Sequence, residues 1–135
     1  MTSRALCGAL FCACLHVPAA LACTARIEGG QRVESTHYEL AYRPQPAPVV
    51  VGQHFALDVI VCARAPHDRV AELRVDARMP EHRHGMNYRP SVTDRGGGAF
   101  RVEGLMFHMP GRWQYVFEVR DARGTERLTQ DHWLR

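Results

Sequence analysis

The sequence predicts an all-β fold, an immunoglobulin-like antiparallel β-sandwich of about seven strands. Apolar residues recur at every second position in three separate segments: Phe55, Leu57, Val59 and Val61; Leu73, Val75, Ala77 and Met79 against Arg74, Asp76 and Arg78; Trp113, Tyr115, Phe117 and Val119 against Arg112, Gln114, Glu118 and Arg120. Period-two alternation marks a strand with one face in a core and the other in water. Turn signals recur about every 8–12 residues, and no window carries a sustained helical period with a cap. A small closed barrel is the competing all-β form.

Along the chain, residues 1–22 come first and read as a cleavable signal peptide. Arg4 supplies a positive charge, Ala5 to Leu15 is an apolar run, and Ala20-Leu21-Ala22 is a small-residue cleavage site before Cys23. His16 and Pro18 leave the run shorter than the ~20 apolar residues a spanning helix needs. The expected product is a periplasmic or secreted domain, residues 23–135. A lipoprotein anchored through Cys23 is the alternative, although Ala20 stands where a lipobox prefers Leu. Removal of the leader takes Cys7, Cys12 and Cys14 with it, so Cys23 and Cys62 remain and one disulfide between them is expected in an oxidising compartment.

The mature chain then reads as strands and turns. Tyr38, Leu40 and Tyr42 alternate until Pro44, Pro46 and Pro48, which should stop the pairing. The Phe55–Val61 and Leu73–Met79 segments follow. Asp94 to Gly98 is a turn, and Phe100 and Val102 point inward after it. Gly104 shifts the parity so that Leu105, Phe107 and Met109 form the next apolar set, the signature of a bulge. Pro110-Gly111 turns the chain into the Trp113–Val119 strand, and a last strand covers Glu126 to Leu134. Trp113, Tyr115, Phe117, Val59, Val61 and Val75 are expected in one core.

Composition narrows the function. The chain has 135 residues, 46% hydrophobic and 23% charged, with a net charge of +3, which fits one globular domain and excludes a disordered chain or a multi-pass membrane protein. Its basic residues are all arginines spread from end to end, without the stripe that a nucleic-acid partner requires. About 113 mature residues bury a core without help from a metal, so a metal here would serve function. No H-E-x-x-H, nucleophile elbow, phosphate loop or C-x-x-C occurs in the mature chain, and the protein reads as a non-enzyme.

Chemistry concentrates between Met79 and Met109. Of five methionines, all but Met1 lie in this stretch, together with His82, His84 and His108. Thioether and imidazole form the ligand set that soft Cu(I) prefers, and in an oxidising compartment methionine stands in for thiolate. His82, His84 and Met86 are spaced by two, so extended backbone would project them to one side. The expected metal ligands are His82, His84, Met86 and His108, with Met106 the substitute donor and Met79 and Met109 as second choices beneath the site. Methionine on an inward parity is also an ordinary core filler. His37, His54, His67 and His132 are scattered and receive no role.

The run Val75-Asp76-Ala77-Arg78-Met79-Pro80-Glu81-His82-Arg83-His84-Gly85-Met86-Asn87-Tyr88, with Glu103-Gly104-Leu105-Met106-Phe107-His108-Met109-Pro110-Gly111-Arg112-Trp113, resembles the YtkA-like domain family, which is related to FixH. The likeness spans about Phe55 to Val119. It implies a secreted or membrane-tethered immunoglobulin-like sandwich associated with copper handling or respiratory cytochrome functions and without established enzymatic activity. The family's histidine and methionine motif falls on His82, His84, Met86 and His108. Two expectations of different class follow. One is an exported copper-binding accessory protein that serves a periplasmic cytochrome or a membrane copper protein. The other is a metal-free interaction module docking on a cytochrome, peroxidase or membrane partner.

Overall fold

The computed structural model of the chain describes residues 23–65 and 69–135; the readings made above for the leader and for His67 lie outside them. Among the described residues every regular element is a strand: β1 (Gln31–Glu34), β2 (Tyr38–Gln45), β3 (His54–Ala63), β4 (Glu72–Met79), β5 (His84–Gly85), β6 (Ser91–Gly96), β7 (Ala99–Met106), β8 (Gly111–Asp121) and β9 (Gly124–Leu134). All pairings are antiparallel. They build a five-stranded sheet in the order β1-β2-β3-β7-β6 and a four-stranded sheet in the order β5-β4-β8-β9. Within these, β2-β3-β7-β6 and β4-β8-β9 follow the two-sheet order of an immunoglobulin sandwich. β1 and the two-residue β5 extend its edges.

The alternation places the core where it was expected. Trp113, Tyr115, Phe117, Val59, Val61 and Val75 are buried in one cluster with Tyr38, Leu40, Tyr42, Leu57, Phe107 and Met79. The bulge falls at Gly104, which has φ 85°: the β3–β7 register slips between Phe55 and Leu57, with one extra residue on β7. Several elements differ from the sequence reading, the two-residue β5 among them, and β6 takes in the first residues of the expected Asp94–Gly98 turn. β1 and β6 are strands that the pattern does not mark, because each is an edge almost wholly exposed and therefore lacks a hydrophobic face. β2 also runs on through Pro44 and Gln45, which pair with Leu57 and Ala56. β1 begins opposite Tyr42, so on that side no partner strand asks Pro44 for the N–H it lacks.

Cys23 and Cys62 form a disulfide with Cα atoms 5.5 Å apart. It fastens the first described residue to the end of β3. The segment behind it packs Ala25 and Ile27 on Ala41, Ile60 and Cys62, a small apolar cluster separate from the main core.

Tyr42 packs its ring 5.2 Å from Tyr115 and 5.1 Å from Phe117, and burial pushes its phenol up to about 12. An unfolded tyrosine ionises near ~10. Between these values the unfolded chain has lost a proton that the folded chain keeps, so stability falls as pH rises, by about 1.4 kcal/mol per unit for each such group. Urea unfolding at pH 8, 10 and 11 should therefore give falling midpoints, with a shallower fall in Tyr42→Phe. Identical slopes for the two proteins would contradict this origin.

Candidate metal centre

The β4–β5 hairpin carries the first half of the site. β4 ends at Met79, whose carbonyl accepts the N–H groups of His82 at 3.2 Å and Arg83 at 2.9 Å. Arg83 closes the turn with φ 56°, a left-handed conformation few side chains adopt. Glu81 accepts a hydrogen bond from Arg112 Nε at 3.1 Å, and Arg112 Nη1 reaches Asp131 at 3.0 Å, so the turn is tied to both β8 and β9. His84 pairs with Met79 across the ladder and so shares its inward face; Met79 itself is fully buried. Met86, two residues on, keeps that face: its N–H donates to Ala77 O at 3.2 Å and its side chain packs against the core.

The second half comes from the passage between β7 and β8. Phe107 turns inward and stacks on Trp113 with centroids 4.5 Å apart and planes 8° apart. The next residue, His108, is thereby delivered to the His84 ring, 5.1 Å away and tilted by 33°. His82 stands on the other side of His84 at 5.9 Å. Trp113 forms the wall behind the pair, edge-on to His84 at 6.0 Å and to His108 at 5.3 Å. Its Nε1–H donates to Met109 O at 3.0 Å, which fixes the indole. Gly111 has φ 122°, and a Cβ there would lie 2.9 Å from the Met79 methyl, so glycine lets β8 begin directly against the floor of the site.

The imidazole nitrogens are poised unequally. His84 Nδ1 lies 3.0 Å from Gly85 O. A carbonyl only accepts, so Nδ1 carries the proton and the neutral ring keeps its lone pair on Nε2. That arrangement is the usual one for a metal-ligating histidine, in which the second nitrogen donates to a carbonyl or carboxylate. His108 Nδ1 is buried and has no hydrogen-bond partner among the described residues, a costly state for a polar atom unless something else satisfies it.

Of the residues singled out in the sequence, the fold gathers His82, His84 and His108 in a row, with Met86 on the face of His84. Met79 lies beneath as core, and Met109 packs half-buried against the same cluster. Met106 is elsewhere: it pairs with His54, while the neighbouring Phe55–Leu105 pair is buried. Met106 therefore projects from the outer face of the five-stranded sheet. His82, His84 and Met86 do not form one extended row, because His82 sits in the tight turn. Among the described residues no group of three or more His, Cys, Asp or Glu side chains converges on one point. A third imidazole joins the pair only by rotation of His82, which is exposed. Trp113 as the wall was not legible as a site residue; its alternation marks it only as core. No family model, curated protein or solved structure matches the chain.

Proposed function

We propose that the protein is an exported copper-handling accessory protein that holds one Cu(I) between His84 and His108, with Met86 and His82 completing its coordination. The observation that carries this reading is the adjacent imidazole pair: one ring presents a free Nε2, and the other has a buried nitrogen without a partner among the described residues. Two imidazoles with a thioether on the same strand face suit a soft monovalent ion, and zinc should bind less well because thioethers are poor ligands for it. The disulfide supports export, since such bonds persist in oxidising compartments. The resemblance to the YtkA-like family, which rests on its motif residues, points the same way and suggests a periplasmic cytochrome or membrane copper protein as recipient. The reading is of a carrier and not a catalyst.

The metal-free docking reading has its own support in Trp133, which is 68% exposed and pairs across the ladder with Arg112, the residue that anchors the His82 turn. A Cu(I) competition titration against a chelator of known affinity separates the two. His84→Ala and His108→Ala should each weaken binding by about tenfold or more, at least the loss seen when a mere supporting group is removed. Equal affinity in wild type and both variants would leave the docking reading in its place.

A further inference from the structure

Residue His54 is the first of β3 and Met106 the last of β7, and they stand directly opposite each other. We propose that these two side chains form an outer, two-donor Cu(I) site from which the ion passes to His84 and His108; this rests on the copper reading above. Directly opposed residues on one face of an antiparallel pair have Cβ atoms about 4.5–5.5 Å apart. An imidazole nitrogen and a thioether sulfur bound to one ion at about 2.0 and 2.3 Å are separated by no more than their sum, a span that two such side chains bridge. His54 is exposed and Met106 half-buried, so the pair is open to an ion arriving from solvent. The His54 ring makes no hydrogen bond or ion pair among the described residues. Among the described residues its one ring contact is with Tyr88, edge-on at 5.1 Å and 69°, which steadies the imidazole and leaves its nitrogens free.

The chain itself links this pair to the inner one. Met106, Phe107 and His108 are consecutive, and two residues of extended backbone span about 7 Å. Phe107 is locked into the core against Trp113, so Met106 and His108 are held on either side of a fixed point. Transfer is a ligand exchange: bonds from copper to His54 nitrogen and Met106 sulfur break as bonds to His108 and His84 nitrogens form. The ion stays Cu(I), and the neutral rings release no proton through their lone pairs.

The test has two arms. In a His84→Ala/His108→Ala protein with carbon-13-labelled methionine methyl groups, titration with Ag(I) or Cu(I) should shift the Met106 resonance, and adding His54→Gln should abolish the shift. In the otherwise wild-type protein, Met106→Leu should slow loading from a Cu(I)–chelator complex about tenfold while leaving the final affinity unchanged. A Met106 methyl that stays put, or a loading rate equal to wild type, overturns the outer site while the inner one stands. Failure of the wild-type protein to take up Cu(I) at all overturns both.

Discussion

Trp113→Ala is expected to lower the free energy of unfolding by about 3–5 kcal/mol, the cost of deleting a fully buried aromatic from a close-packed core. Trp113 has no exposed surface and fills the end of the sandwich where the chain crosses from β7 to β8. It stacks on Phe107, stands edge-on to His84 and His108, and donates its indole N–H to Met109 O. Removing it takes away the stacking partner of the residue that delivers His108, so the histidine pair should loosen along with the core. Trp113→Phe restores most of the apolar volume but still deprives the Met109 carbonyl of its donor, and should cost about 1–3 kcal/mol. Urea unfolding followed by far-ultraviolet circular dichroism gives both numbers. A loss below about 1 kcal/mol for the alanine variant would mean that the indole is not the keystone of that end.

The Cys23→Ser/Cys62→Ser protein should be less stable by about 3–4 kcal/mol, since the bond closes a long loop and its absence returns that entropy to the unfolded chain. The sequence separation is 39 residues, and the bond lies outside the main core. The loss should appear as a lower urea midpoint with the sandwich intact. Freed from the bond, the segment holding Ala25 and Ile27 keeps only the small cluster around Ala41 and Ile60. Its amides, Arg26 and Gly30 among them, should exchange with solvent faster than those of β3. An unchanged midpoint, or equal protection at Arg26 with and without the bond, would contradict this.

The sandwich was legible because its inner strands carry apolar residues at every second position, and β4 is wet on its other face. The Leu73–Met79 and Trp113–Val119 alternations specify both strand and orientation, and the parity shift after Val102 located the bulge at Gly104. The edges were not legible for the opposite reason. Ser91–Gly96 and Gln31–Glu34 are exposed on nearly every residue and are strands only because a neighbour offers them a ladder. The proximity of the Met79–Tyr88 turn to the Met106–Pro110 passage could be read from strand ends, and the two do meet, with His84 against His108. The pairing of His54 with Met106 could not, since it depends on a register set by the bulge and by the packing of Phe55 on Phe107, 5.0 Å apart. His82 departs from the extended row because a hairpin closing at Met79 and His84 leaves only residues 80–83 for its turn.

The role assigned to the imidazole pair is tested most directly by X-ray absorption at the copper edge on protein loaded with one equivalent of Cu(I). The expected spectrum contains at least two imidazole nitrogens at about 2.0 Å, with a sulfur at about 2.3 Å, and the outer-shell imidazole scattering disappears in His84→Ala/His108→Ala. A spectrum without imidazole scattering, or one that the double variant leaves unchanged, would contradict a copper site at His84 and His108.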